Sequence, residues 1–365
     1  MLVSSLLGLL QAGLLHMATK PITKKKSTSR RRSPRTSGRS PRILKSPAIH
    51  TRYKKVVRIG GGSSGYIILR GLKQFPLDIT AVVNMFDNGG SSGVLRDEFG
   101  ILPPGDVRRA LAALADDTQS SILRDLFNFR FKEGSVSGHS FGNLFLAALT
   151  EIYGSDIEAI RKASEVLKIK GKVLPVSLDK SNIHAILQDG TEVVGETNID
   201  VPKHDGAVPI KRIFLDPPAH LYEETEESLR DADVIVIGPG DLYTSIISNF
   251  LVGGMPKALQ ESKAKKVVVC NLMTKWGETN GFSSSDMIRE LLKYTGLKKF
   301  DYVICNTKEP SKKLLDAYAR ENKFPMRYDD TLGQYATKVV TGDFYSEADI
   351  ARHDPEKIAR VIAEL

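Results

Sequence analysis

The sequence is poor in the residues that build several kinds of protein. Its 365 residues include two cysteines, Cys270 and Cys305, and each lies in an apolar, strand-like run. Two such cysteines form neither a disulfide framework nor a thiolate metal site, so we expect reduced core residues of a cytosolic protein. The sequence also lacks a Gly-Lys-Ser/Thr phosphate loop, a His-Glu-x-x-His motif, a cysteine nucleophile and a Ser/His/Asp arrangement. These absences exclude Walker A nucleotide hydrolysis and the common protease chemistries.

Acidic residues are absent from the first 55 positions. Residues 17–55 contain 14 of the 52 Lys and Arg, which leaves 38 basic against 43 acidic residues in 56–365. The net charge of +9 therefore belongs to a low-complexity tail, and the remainder is mildly acidic. Residues 1–54 cannot bury enough apolar surface to fold, so we predict a disordered, solvated tail. Any contact with nucleic acid or anionic lipid would be electrostatic, and no specific nucleic-acid partner is expected.

The apolar run at the N-terminus is too short to cross a bilayer. Met1–His16 has 16 residues and lacks the basic n-region with which a signal peptide begins. Two interpretations stay open. The run is an unusual signal or anchor segment, or the start was assigned too early and Met17 is the true initiator, which we favour. We therefore predict a cytoplasmic protein without a membrane span.

The rest of the chain is arranged around Val56–Gly65, with the sequence VVRIGGGSSG. Its β-branched start predicts a buried strand that stops at the glycines, and helical spacing resumes at Tyr66. Amides at such a turn, with a helix N-terminus behind them, favour a phosphate. Gly60, Gly62 and Gly65 satisfy the G-x-G-x-x-G spacing, but the acidic residue that should close a strand about 20 positions later is missing. A plain tight turn stays open as the alternative.

Two further predicted strands end in glycine-rich loops. Ile79–Asn84 is followed by a loop over residues 87–93, and the strand over residues 233–237 is followed by a loop over residues 238–245. Strands alternating with helices predict an α/β fold, a Rossmann-like, doubly wound and mostly parallel sheet, over residues 55–365. We place a small β-rich insertion at about 172–215. Strand ends of a parallel sheet meet at one edge, so the three loops predict a cleft lined with amides and hydroxyls.

This cleft suits a phosphorylated ligand. Arg108 or Arg109 could clamp a phosphate. Asp87 and Asp241 could bind ribose hydroxyls, hold Mg²⁺ or accept N–H bonds within their turns. His139 is a candidate acid/base, hydrogen-bond donor to a phosphate, or helix cap. The predicted ligand-binding residues from these segments are Gly61, Gly62, Ser63, Asp87, Asn88, Gly90, Ser91, Ser92, Arg108, His139, Asn143, Gly240, Asp241 and Thr244.

Six segments in unbroken order carry a more specific pattern: VVRIGGGSSGYIILRGLK, DNGGSSGVLRDEFGILPPGDVRR, GHSFGNLFLAAL, GETNIDVPKHDG, ADVIVIGPGDLYTSII and VCNLMTKWGETNGF. Together they resemble the bacterial gluconeogenesis factor (YvcK-like) family, which is similar in fold to 2-phospho-L-lactate transferase (CofD-like). The resemblance implies a cytoplasmic protein that binds UDP-N-acetylglucosamine and influences cell shape and wall-precursor metabolism. It implies no established reaction and no required cofactor, and it leaves a homo-oligomer open.

The resemblance also carries over two residues from the C-terminal part. Tyr318 and Arg352 match a tyrosine and an arginine tied to nucleotide-sugar binding in the family. Two positions depart from the family pattern, because Asn88 replaces an aspartate and Ser64 replaces a glycine. The alternative function is a Mg²⁺-dependent phospho-group transferase with Asp87 as the metal ligand. Asn88 weighs against a two-aspartate metal site.

Overall fold

The computed structural model describes residues 52–118, 121–347 and 350–365, so most of the predicted tail lies outside the described residues. A seven-stranded parallel sheet lies at the centre, in the order β10-β9-β8-β7-β1-β2-β3. The strands are β1 (Lys54–Ile59), β2 (Leu77–Val83), β3 (Lys172–Pro175), β4 (Asn182–Leu187), β5 (Glu192–Val194), β6 (Ile210–Asp216), β7 (Val234–Ile237), β8 (Lys265–Val269), β9 (Phe300–Asn306), β10 (Ala336–Gly342), β11 (Tyr345–Glu347) and β12 (Ala351–His353).

Helices connect and cover these strands. In chain order they are α1 (Gly62–Leu72), α2 (Gly90–Phe99), α3 (Pro104–Leu114), α4 (Ser121–Asn128), α5 (Phe141–Tyr153), α6 (Asp156–Leu167), α7 (Glu196–Asp200), α8 (Glu223–Asp231), α9 (Ser248–Phe250), α10 (Met255–Glu261), α11 (Ser284–Thr295), α12 (Lys312–Ala319) and α13 (Pro355–Glu364). A π-helical segment, Leu242–Ile247, precedes α9, and a 3₁₀ helix, Asp330–Gln334, precedes β10. Within the described residues, no helix is long and apolar enough to cross a membrane.

Local sequence signals set many helix ends. Ser283 and Asp286 form a capping box at the start of α11, and Gly296 ends that helix in the left-handed conformation. Ser140 caps α5 by accepting a hydrogen bond from the backbone N–H of Asn143. Pro104 opens α3, where its missing N–H costs no helical hydrogen bond.

The strand order places a topological switch point beside β1. Val56 of β1 pairs with Ile79 of β2 on one side and with Val234 of β7 on the other. From β1 the chain winds outward to β3, and from β7 it winds the other way to β10. Ligands of open α/β sheets bind in the crevice at such a point, beyond the carboxyl ends of the strands. The fold therefore directs attention to the loops that follow β1 and β7.

The predicted α/β class is confirmed, but the insertion begins later than predicted. β3 (Lys172–Pro175) belongs to the central sheet, where Thr80 pairs with Lys172. The antiparallel sheet contains only β5, β4 and β6, between Asn182 and Asp216. The short run KVLP has no alternation that separates a central strand from a strand of the insertion. Cys270 and Cys305 are free and buried, as predicted.

Candidate functional site

A cavity of about 250 Å³ lies beyond the carboxyl ends of β1, β7 and β8. The first turn of α1, the loops after β7 and β8, the end of α12 and strand β12 form its wall. The polar and aromatic lining residues are Ser63, Ser64, Asp241, Asn271, Thr274, Lys275, Tyr318, Lys323, Arg352 and His353. Tyr318 and Arg352 thus share one cavity with Ser63, Gly240 and Asp241, although they are far apart in sequence. The Tyr318 hydroxyl accepts a hydrogen bond from the backbone N–H of Ala351 at 3.1 Å and ties α12 to this segment.

The amides of the first glycine loop are occupied by the protein itself. The N–H of Gly60 donates to Val82 O at 3.1 Å, and that of Gly61 donates to Ser245 O at 3.1 Å. The N–H of Gly62 donates to Asp106 Oδ1 at 2.9 Å. In this structure the Gly61 and Gly62 amides are therefore not free to bind a phosphate, and their phosphate-binding role stays a prediction. The next residues of α1, Ser63 and Ser64, lie in the first helical turn, where N–H groups have no intrahelical partner, and both line the cavity.

The glycines are needed because other side chains approach the loop closely. A Cβ on Gly61 would lie 1.9 Å from Asp106 Oδ2, and a Cβ on Gly65 would lie 2.3 Å from Arg58 Nη1. Gly62 has a φ of +74°, a backbone conformation that residues with a side chain rarely adopt. The glycine run therefore makes room for a buried carboxylate and a buried guanidinium.

Asp87 and Asn88 both hold the loop after β2. Asp87 Oδ1 accepts a hydrogen bond from the N–H of Gly89 at 2.8 Å. Burial and the nearby Asp106 raise the pKa of Asp87, although the Gly89 N–H opposes them. Asn88 Oδ1 accepts from the N–H of Thr197 at 2.9 Å and so joins this loop to α7. Both side chains make turn and loop contacts, which was one of the alternatives for Asp87.

Three predicted residues form one hydrogen-bonded group. Ser91 Oγ lies 3.1 Å from His139 Nδ1, and Asn143 Nδ2 donates to Ser91 Oγ at 3.0 Å. The amide nitrogen of asparagine can only donate, so the hydroxyl proton of Ser91 remains available to the imidazole. A hydroxyl that is hydrogen-bonded to a histidine in this way is typical of an activated nucleophile. It is equally typical of a hydrogen-bond donor held in position for a phosphate. Ser92, the next residue, hydrogen-bonds Asp87 instead.

Of the two candidate arginines, Arg109 lies at the first glycine loop. Its Nε and Nη2 donate to Asp106 Oδ1 at 3.0 and 2.7 Å. Arg108 is buried, and its Nη1 donates to Asn128 Oδ1 at 3.1 Å at the end of α4. The structure therefore places Arg108 away from the first glycine loop, and its role as a phosphate clamp stays a prediction. Consecutive helix positions point in different directions, and the sequence alone did not fix which one faces the loop.

Carboxylates gather between the loop after β7 and the insertion. Oxygens of Asp200, Asp241 and Glu278 lie within 4.8 Å of one another, and Lys275 Nζ is 2.9 Å from Asp200. Burial and the charge of Asp241 raise the pKa of Glu278 to about 8. Hard oxygen donors of this kind fit Mg²⁺. Thr244, predicted to bind ligand, is fully buried and donates to Glu278 Oε1 at 2.9 Å, so its hydroxyl is a structural group.

The charged residues of this region that sequence reasoning missed include Arg58, Asp106, Glu196 and Glu278. Arg58 had a visible signal, because a cation inside the apolar run VVRI requires a partner when the strand is buried. Asp106 stood inside a quoted segment, PPGDVRR, as the acidic residue of a helix N-terminus. Glu196 and Glu278 also stood inside quoted segments, GETNIDVPKHDG and VCNLMTKWGETNGF, but nothing local in either segment indicates that the carboxyl is buried.

Residues 56–345 match the family described as 2-phospho-L-lactate transferase CofD. The chain belongs to the CofD family. A Thermotoga maritima member named putative gluconeogenesis factor is 45% identical over 317 residues, which is 85% of this chain and 99% of that protein. The Bacillus subtilis gluconeogenesis factor is 39% identical over 315 residues, 85% of this chain and 98% of its own length.

A solved structure confirms the fold of the CofD-family chain. A member of the UPF0052 family from Bacillus halodurans is 40% identical and superposes with a TM-score of 0.80. The match covers 85% of this chain and 99% of that chain. The predicted family resemblance and the Rossmann-like α/β class are both confirmed by these comparisons.

Proposed function

We propose that this chain is a cytoplasmic regulator that binds the sugar nucleotide UDP-N-acetylglucosamine and influences cell shape and wall-precursor metabolism. The name gluconeogenesis factor, shared by its relatives, supports a regulatory role in carbon metabolism. The observation that carries the proposal is the cavity itself, where Tyr318 and Arg352 meet the loops of the topological switch point.

The cavity offers complementary chemistry to each part of such a ligand. Lys275, Lys323 and Arg352 surround a place for a diphosphate, next to the positive end of α1. The Tyr318 ring offers an apolar face to uracil or to the sugar. Asp241 and Asn271 supply acceptors for ribose hydroxyls. Asn271 is held in position by Gly240, whose N–H donates to Asn271 Oδ1 at 3.1 Å.

A Mg²⁺-dependent phospho-group transferase is the second candidate function. The group of Asp200, Asp241 and Glu278 favours it, because three carboxylates could hold a divalent cation beside the cavity. The predicted ligand Asp87 lies outside this group and accepts the N–H of Gly89. A bound Mg²⁺ would offset charge on a transferring phosphate. The family description as a transferase supports the same chemistry.

Calorimetric titration of UDP-N-acetylglucosamine in EDTA and in Mg²⁺ separates the two functions. For the regulator we expect binding in EDTA that weakens at least about tenfold in Arg352→Ala, the loss of a charge-assisted contact. Tyr318→Ala should weaken it similarly, whereas Tyr318→Phe tests the hydroxyl alone. Arg360→Ala, at an exposed ion pair with Glu356 on α13, is the control. Loss of binding in EDTA would overturn the regulator and favour the transferase.

Asp87→Asn provides an independent arm of this experiment. The regulator predicts unchanged affinity in this variant, because Asn can still accept the hydrogen bond from Gly89. A transferase with Asp87 as its metal ligand predicts loss of metal-dependent turnover and nucleotide binding that no longer responds to Mg²⁺. A transferase with its metal on Asp200, Asp241 and Glu278 predicts these losses in Asp200→Asn instead.

A further inference from the structure

Arg58 is a cation inside β1, an inner strand of the sheet. It lies between Val57 and Ile59 in β1, and 2% of its surface is exposed. Nη1 donates to Gly60 O, and Nη2 donates to Pro239 O at 3.1 Å and to Gly61 O at 3.4 Å. The guanidinium therefore joins the loop after β1 to the loop after β7. These are the two loops of the switch point.

Among the residues that the structure describes, the positive charge of Arg58 has no direct carboxylate partner. Asp106 is the acidic neighbour that acts on it electrostatically. Asp106 is already held by Arg109 and by the N–H of Gly62. Among the described residues, the three hydrogen-bond acceptors of Arg58 are backbone carbonyls, and its Nε has no partner. Burial lowers the pKa of Arg58 to about 10, which leaves it charged at neutral pH.

The sequence around Arg58 is shaped to hold this guanidinium. A Cβ on Gly65 would lie 2.3 Å from Nη1, and a Cβ on Gly60 would lie 3.1 Å from Nη2. Burying a charge without an ion pair is costly, and a fold that makes room for one needs a compensating anion. Ser63 and Pro239, next to the loops that Arg58 holds, line the ligand cavity.

We propose that Arg58 is a positioning residue that joins the two switch-point loops and makes the cavity select its ligand by phosphate charge, favouring a diphosphate over a monophosphate and over an uncharged nucleoside. This inference rests on the proposed sugar-nucleotide function and extends it to the class of ligand. The ligand's phosphates supply the anion that Arg58 lacks, because Arg58 binds the carbonyl oxygen of Pro239 and Pro239 lines the cavity. In a site of low dielectric, each added negative charge on the ligand strengthens this attraction.

Selectivity among ligands of different charge is the readout that tests the proposal. Affinities for uridine, UMP, UDP and inorganic pyrophosphate are measured by calorimetric titration in wild type, Arg58→Met and Arg58→Lys. We expect Arg58→Met to reduce the UDP-over-uridine preference by roughly tenfold or more, as charges several ångströms apart would at an effective dielectric of about 20. Arg58→Lys keeps the charge with fewer donors, so it should retain most of this preference while binding all ligands more weakly.

Lys73→Met is the matched control. Lys73 is also a buried cation, 4% exposed, and lies at the other end of α1, where it donates to Ala115 O at 2.8 Å. Removing it should leave the UDP-over-uridine preference unchanged. Gly65→Ala keeps Arg58 but displaces its guanidinium, so it tests the same idea if Arg58→Met does not fold. We expect Gly65→Ala to reduce the preference as well.

The outcomes separate this inference from the proposed function. Equal losses for all four ligands in Arg58→Met, or an Arg58→Lys variant that loses the preference as completely, would overturn the charge-selective role. In that case UDP-N-acetylglucosamine binding by wild type would still support the proposed function. Pyrophosphate binding that depends on Arg58, without binding of UDP-N-acetylglucosamine, would support Arg58 and contradict the proposed function. Wild type that binds neither would overturn both.

Discussion

At the scale of residues, the region beside the cavity contains carboxyls whose pKa the fold raises. Burial and the charge of Asp87 raise the pKa of Glu196 to about 8, and Glu278 has a similarly raised value. These groups lie among Asp87, Asp106, Asp200 and Asp241, so adding another negative charge there is unfavourable. Neutral carboxyls at pH 7 can donate hydrogen bonds that ionised ones cannot.

We predict that the stability of Glu196→Gln relative to wild type is greater at alkaline pH than at acidic pH. The pKa of Glu196 is about 8 in the folded state and near 4.5 when unfolded. The folded state therefore binds more protons between these values, and the free energy of unfolding falls as pH rises through that window. Glutamine does not ionise, so the variant lacks this fall in the free energy of unfolding. The Tm of the variant relative to wild type should rise by about 2 to 4 °C or more between pH 5 and pH 8.5.

Thermal unfolding at these two pH values checks the prediction. Glu151→Gln, at an exposed position of α5, is the control and should show the same pH response as wild type. A Glu196→Gln variant with an unchanged pH response would show that Glu196 is ionised in the fold at neutral pH.

Predictability at this scale depends on how local the cause is. Ser91, His139 and Asn143 were all selected from loop and helix-start positions, and the structure brings them together. Tyr318 and Arg352 were reached only through the family resemblance. The burial of Glu196 arises from the packing of α7 against other elements, which no local pattern encodes.

At the scale of elements, the loop after β1 shows glycines serving the protein's own packing. The amides of Gly60, Gly61 and Gly62 bind Val82, Ser245 and Asp106. The sequence pattern of a strand, a glycine run and a helix is the same whether the close neighbour is a phosphate or a carboxylate. The position of the loop was therefore predictable, and the occupant of its amides was not.

We predict that Gly61→Ala destabilises the protein by about 2 to 3 kcal/mol, the usual cost of overpacking a tight site. The backbone of Gly61 has φ −113° and ψ −162°, which alanine adopts without strain. The cost therefore arises only from displacing Asp106, whose Oδ2 would lie 1.9 Å from the new Cβ. Urea unfolding measures the change.

Gly333→Ala is the control for this prediction. No atom lies within 4 Å of the Cβ that alanine would add there, so the change should be within about 0.5 kcal/mol. Equal effects at Gly61 and Gly333 would contradict the close packing of Asp106 against the loop.

The strands divide into those with local signals and those without. Buried runs such as Val234–Ile237 are β-branched and bounded by turn residues, and their positions were predicted to within a few residues. β10 (Ala336–Gly342) has exposed polar residues at Thr337, Lys338 and Thr341, so it carried no such signal. β11 and β12 are three residues each, too short for a periodic pattern.

At the scale of the whole molecule, alternating strands and helices predicted the fold class but not the strand order. The order depends on which distant strands pair, as β1 does with β7 across about 180 residues. That pairing creates the switch point, and with it the meeting of Ser63, Gly240 and Tyr318 in one cavity. The cleft could be predicted in outline, whereas its partition into a cavity and a group of carboxylates required the structure.

The last prediction is that residues 1–50 are dispensable for folding and for ligand binding. Residues Thr51–Leu365 form a compact unit by themselves, and a chain that begins at Thr51 keeps the Arg52–Asp233 ion pair. We expect its Tm and its affinity for UDP-N-acetylglucosamine to match those of the full chain at 0.15 M salt, where the Debye length is about 8 Å.

The control repeats both measurements at 0.01 M salt, where the Debye length is about 30 Å and charges are screened less. A general attraction between the basic tail and an anionic ligand would appear only at this low salt concentration. A shortened chain that fails to fold, or that binds more than about threefold more weakly at 0.15 M salt, would show that the tail takes part in the site, because threefold exceeds a free-energy difference of RT.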